Sequence, residues 1–185
     1  MRKTFKYRLF TTRLQEAALD IQLGEACRLY NAALQERRDA YKTCRKSLNY
    51  YDQANQLREI RAAKDSGLTN YSCSQDVLRR VDKAFKAFFR RVKTGENPGY
   101  PRFKSPRRFD SITFPSYGNG IRLNGGMLRV QGSGISKSSS TDLLLELSRL
   151  PRSSGSAVSG LCASPWSIKP NCFLLFPTRL GLMSG

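Results

Sequence analysis

From Val77 to Val92 the chain carries an apolar stripe: Val77, Leu78, Val81, Ala84, Phe85, Phe88 and Val92, at spacings of three and four. Between these positions stand Arg79, Arg80, Lys83, Lys86, Arg90, Arg91 and Lys93. The period predicts a helix that packs on one side and stays cationic on the other. Ser74 is placed to cap its start, and Gly95, Pro98, Gly99 and Pro101 stop it and bend the chain. Tyr100, Arg102, Phe103, Lys104, Arg107 and Arg108 follow on a segment that Pro101 and Pro106 are expected to hold extended.

Other elements are built around this helix. Phe5, Tyr7 and Leu9 alternate with Lys6 and Arg8, the period of a half-buried strand. After Thr11 and Thr12, either a candidate cap, Leu14, Ala18 and Ile21, then Leu23, Cys27, Tyr30, Leu34, Tyr41 and Leu48 mark a long helical segment with a break expected near Gly24. Arg37, Arg38, Lys42, Arg45 and Lys46 are expected on its outer surface. Residues 49–67 read as a shorter helix that stops before Gly67. "SITFP" and "GIRLNGGMLRV" read as strands, the second a hairpin turning on Asn124 and Gly125.

The charge points to a partner. Lys and Arg number 32 against 14 Asp and Glu in 185 residues, a net +18, so the chain repels itself unless a polyanion neutralises it. Only five of these cations (Lys137, Arg149, Arg152, Lys169 and Arg179) lie beyond residue 130, so the basic surface belongs to the first part. With no histidine, the catalytic groupings that rely on imidazole are excluded. Cys27, Cys44, Cys73, Cys162 and Cys172 form no CxxC pair and read as reduced thiols. No apolar run of about 20 residues and no signal-peptide pattern is present, so a soluble cytoplasmic protein without membrane attachment is expected. Asp76 and Asp82, six apart on one helix, suit salt bridges better than a metal. No residue is assigned to catalysis or to a metal, and no cofactor or small-molecule substrate is expected.

"CRLYNAALQERRDAY", "YYDQANQL", "VLRRVDKAFKAFFRR" and "GYPRFK", in that order, resemble the N-terminal part of the OrfB/TnpB family of transposon-encoded proteins, over about Arg2 to Val130. That family usually has a proline where its first helix begins; Thr11-Thr12 stands there in this chain. The resemblance implies either a helix-turn-helix DNA-binding domain or, in the related RNA-guided nucleases, a helical recognition lobe inserted between strands of a β-barrel that holds guide RNA and target DNA. The family's metal-dependent nuclease domain and its paired-cysteine zinc module are not visible in this sequence.

From Gln131 the character changes: thirteen of the last 55 residues are serine, and the strand alternation disappears. Codon arithmetic offers a reason. If each codon takes the third base of one residue and the first two of the next, "GLMSG" can encode the Ile/Leu-Asp-Val-Gly of the family's G-I-D-V-G, which carries its first catalytic aspartate. "GLCASPWSIK" and "GISKSSSTDLL" can, under the same shift, encode segments resembling family strands in the right order. A frameshift between Val130 and Ile135 is therefore expected.

The expected fold is α+β: a first barrel strand over 1–12, a basic helical nucleic-acid-binding region over 13–108 inserted in an incomplete β-barrel, a hairpin over 109–130, and a disordered tail over 131–185. The expected function is that of a transposase fragment binding DNA or guide RNA and lacking nuclease activity. Its expected contacts are Arg79, Arg80, Lys83, Lys86, Arg90, Arg91, Lys93, Tyr100, Arg102, Phe103, Lys104, Arg107 and Arg108. A stand-alone helix-turn-helix or RNA-binding protein is the alternative.

Overall fold

The computed structural model of the chain describes residues 2–62, 68, 70–124, 127–132, 134–138, 161–162 and 172–179. It divides into two compact units, Leu23–Phe109, and Met1–Gln22 with Asp110–Gly185.

The helical unit is built on α2 (Tyr50–Ala62), α3 (Tyr71–Thr94) and the part of α1 (Arg13–Cys44) from Leu23 onward, residues 13–22 of α1 belonging to the other unit. Helix α1 starts in a reciprocal cap. The Thr12 hydroxyl accepts the Gln15 N–H at 3.4 Å, and Gln15 Oε1 accepts the Thr12 N–H at 2.9 Å. The expected break at Gly24 is absent. A glycine in a helix interior costs only about 1 kcal/mol, and burial on either side outweighs it. The buried positions are Leu19, Gln22, Leu23, Ala26, Cys27, Tyr30, Ala33, Leu34 and Arg37. Leu14 and Ile21 are exposed instead, because they stand roughly 140° and 160° round the helix from Leu19 at ~100° per residue. Tyr41, one turn beyond Arg37, is exposed, and α1 ends at Cys44, just before Arg45, whose φ of 53° is left-handed; Leu48 lies past it.

Helix α2 is capped by Asn49, whose side chain accepts the N–H groups of Tyr51 (2.7 Å) and Asp52 (3.2 Å), while Asp52 accepts the Asn49 N–H at 2.8 Å. Its expected end at Gly67 lies outside the described residues. Helix α3 starts four residues earlier than Ser74 would place it. Asn70 is the cap, accepting the N–H groups of Ser72 (2.9 Å) and Cys73 (3.3 Å), and Ser74 is a fully buried helix residue. Gly95, at φ 71°, closes the helix as expected: Glu96 N–H donates to Arg91 O and Gly95 N–H to Val92 O.

Val77, Leu78 and Val81 of α3 are buried with Leu34 of α1 and Leu57 of α2, at about 2 kcal/mol each. Ala84, Phe85 and Phe88 are half-buried, and Val92, in the last turn, is exposed. The three helices are also joined by polar groups. Arg37, expected outside, is buried: its Nε donates to Gln53 Oε1 at 2.8 Å, and its guanidinium reaches Asp82 at 3.3 Å and lies 5.3 Å from the Phe85 ring. Gln53 donates in turn to Ala33 O (2.9 Å) and Glu36 (2.7 Å).

The second unit is a sheet of β1 (Arg2–Phe10), β2 (Ser111–Ile112), β3 (Ile121–Asn124), β4 (Met127–Val130), β5 (Gly134–Ser138), β6 (Leu161–Cys162) and β7 (Cys172–Arg179). Its order is β2-β6-β7-β1-β5-β4-β3, and every pairing is antiparallel. The β3–β4 ladder runs from Ile121↔Val130 to Asn124↔Met127, so Asn124, expected in the turn, is paired in the strand instead, and Gly125 lies outside the described residues. Strand β4 alternates exposed and buried along Met127, Leu128, Arg129 and Val130, and Leu128 and Val130 share the buried interior with Ile112, Phe114 and Ile121. The expectation of a disordered tail from Gln131 does not hold for β5, β6 and β7, which lie within it. β7 pairs with β1 over eight residues, from Arg2↔Arg179 to Leu9↔Cys172. The remainder of 139–185 lies outside the described residues.

Candidate nucleic-acid interface

Helix geometry sorts the cations of α3 into two sets. At ~100° per residue, Arg79, Lys83, Lys86, Arg90 and Lys93 fall within an arc of about 80°, centred roughly 150° from the buried stripe. All five are exposed. Lys86 pairs with Asp82 at 2.8 Å, and the Arg79 guanidinium stands 5.4 Å from the Tyr50 ring. Among the described residues Lys83, Arg90 and Lys93 have no ion-pair partner.

Arg80 and Arg91 occupy the flank and are engaged by protein. Arg80 pairs with Asp76 at 3.0 Å and lies 5.7 Å from the Phe109 ring. Arg91 donates to Gly99 O at 3.4 Å, while its Nε is buried without a partner. The expected salt-bridge roles of Asp76 and Asp82 are thus observed. Burial alone would raise the Asp82 pKa, but hydrogen bonds from Lys86 and Arg37 outweigh it and hold the carboxyl below its ordinary value. Cys73, one of the free thiols, is pushed up to about 12, chiefly by burial, so it stays protonated.

The segment after α3 is held more tightly than a charged linker. Asn31 grips the backbone of Lys104 at two points: its Nδ2 donates to Lys104 O at 2.8 Å, and its Oδ1 accepts the Lys104 N–H at 2.9 Å. The Cys27 thiol donates to the same carbonyl at 3.2 Å. The Lys104 ammonium, an expected phosphate contact, sits 5.1 Å from the Tyr30 ring and 5.5 Å from the Phe109 ring. Tyr100 packs edge-on against Phe85 and Phe88, at 5.8 and 5.3 Å, and keeps 45% of its surface exposed. Pro106 opens a 3-10 turn, Pro106–Arg108, where an extended course was expected; its fixed φ suits a first helical position. Arg102, Phe103, Arg107 and Arg108 remain exposed. The thirteen expected contacts therefore divide into a coherent helix face, a structural group (Arg80, Arg91, Tyr100 and Lys104) and an exposed loop.

An open groove between α2 and α3 was not foreseen. Tyr50, Tyr51, Asn55 and Arg58 of α2 line it with Tyr71, Gln75, Arg79, Asp82, Lys83 and Lys86 of α3. Tyr50 is half-buried, whereas Tyr51 is 74% exposed. The four-residue steps Tyr71, Gln75, Arg79 and Lys83 were the available signal. Among the described residues no group of three or more His, Cys, Asp or Glu could hold a metal, and no helix is long and apolar enough to cross a membrane.

The surface as a whole is one that can neutralise a row of phosphates from a rigid helix. Residues 1–46 match the family model of the OrfB_IS605 helix-turn-helix domain, and the match supports an OrfB/TnpB-family transposase N-terminal region there. The stretch contains β1 and the single helix α1; α2 and α3 lie beyond it. A comparison with curated proteins finds no match.

Proposed function

We propose that this chain is the nucleic-acid-binding part of an OrfB/TnpB-type transposase, gripping phosphates with the outer face of α3 and lacking the nuclease domain. The observation that carries the reading is the exposed arc of Arg79, Lys83, Lys86, Arg90 and Lys93. The family match, a helix-turn-helix domain of a transposase family, supports DNA binding. The arc itself presents Arg and Lys rather than Asn and Gln, which favours backbone contact over base reading and so extends to an RNA guide or a hybrid. Chain order supports the insertion of a helical region in a barrel-type sheet: α1, α2 and α3 fall between β1 and β2 of one sheet. Affinities for structured RNA, RNA–DNA hybrid and duplex DNA, each at two salt concentrations, test the reading. Salt-sensitive binding is expected, with hybrid or structured RNA at least equal to duplex DNA.

The absence of nuclease activity follows from the proposed change of frame between Val130 and Ile135, supported by the serine-rich composition and the three shifted-frame resemblances. The gene's nucleotide sequence should be open in the other frame through G-I-D-V-G; a stop codon before it would end the idea. Purified chain with magnesium is expected to leave guide-matched DNA intact, and cleavage would refute the proposal.

A further inference from the structure

Helix α2 buries Gln53 and Leu57 and turns Tyr51, Asn55 and Arg58 away from them, by roughly 150° at ~100° per residue. These three side chains are thus not spent on packing. Tyr51 is 74% exposed and meets Tyr50 edge-on at 5.4 Å, while Tyr50 is held from α3 by Arg79. Across the groove, Gln75 and Lys83 face the same space. The one acid in the lining, Asp82, is tied to Arg37 and Lys86 and adds little repulsion. Among the described residues neither Asn55 nor Gln75 makes a side-chain hydrogen bond. A groove that offers an open aromatic face, two unused amides and flanking cations differs from a plain phosphate clamp. A duplex covers its base faces by stacking, whereas an unpaired base offers both a face and a hydrogen-bonding edge.

Resting on the reading that the chain binds nucleic acid, we infer that the α2–α3 groove takes an unpaired stretch of the polymer. A base stacks on Tyr51, its edge meets the amides of Asn55 and Gln75, and Arg58 and Lys83 hold the flanking phosphates. The chemistry is shared by single-stranded DNA and RNA.

The test uses the full chain and four labelled probes: oligo-dT, oligo-U, an abasic single strand of equal length, and a blunt DNA duplex. Tyr51→Ala should weaken the base-bearing single strands by about 5- to 160-fold, the range for loss of one stacked base, and leave the duplex and abasic probes unchanged. Tyr51→Phe should restore the loss, since the ring face is what acts. Which of oligo-dT and oligo-U responds more tells DNA from RNA. Equal binding of base-bearing and abasic strands, with Tyr51→Ala without effect, would overturn the inference while leaving phosphate binding intact. Failure of all four probes to bind in a salt-dependent way would remove the underlying reading, and the inference with it.

Discussion

At the scale of single residues, the most consequential side chain is one whose charge hides its buried place. Arg37 follows the buried stripe of α1, Tyr30 to Leu34 to Arg37, but its charge marks it as a surface residue. What brings it inside is a set of partners from two other helices, Gln53 and Asp82. Asp82 keeps Lys86 as a second partner, so Arg37→Ala chiefly leaves the buried Gln53 Oε1 without its donor and is expected to cost about 1–3 kcal/mol, read by denaturant unfolding. Asp82 gives this network a pH signature. Its folded pKa is below the ordinary 3.8, so its contribution is present above that value and is lost as pH falls through the lower folded pKa. The stability gap between wild type and Asp82→Asn should accordingly be constant near neutral pH and close in strong acid. At the caps, Asn70→Ala should cost about 1 kcal/mol, whereas Ser74→Ala cannot act through a cap.

At the scale of elements, legibility followed the strength of local signals. The stripe of α3, its left-handed Gly95 stop and the existence of strand β1 were readable because period and punctuation agree there. Helix α1 through Gly24 was misread because a single glycine is a weak breaker beside buried Leu23, Ala26 and Cys27. The two-sided role of α3 was only half legible. Which cations are free depends on where the later loop returns, and that depends on Asn31, a helix residue whose sequence gives no hint that it binds Lys104. Asn31→Ala should release this loop, with faster backbone exchange and proteolysis near Arg102 while α3 stays protected. Unchanged protection would show that Cys27 and the aromatic contacts suffice. Whether the tyrosines of the α2–α3 groove pack or stand open is not legible in the sequence, because the relative rotation of two helices decides it.

At the scale of the whole molecule, the residues from Gln131 onward pose the sharpest contrast. Their composition breaks from what precedes, yet β5, β6 and β7 extend the sheet on both sides of β1. Backbone pairing in a sheet is indifferent to much of the side-chain sequence, so strands there do not argue for a selected function. The proposed function lies in the helices instead, on one cationic face. The direct measurement is affinity for a nucleic-acid duplex against salt, for the wild type and for a variant with Arg79, Lys83, Lys86, Arg90 and Lys93 changed to Gln. The wild type should give a steep log–log slope, and the variant should lose on the order of three to five from its magnitude, at about 0.9 per phosphate contact. A wild type without salt-sensitive affinity, or a variant with an unchanged slope, would contradict the account.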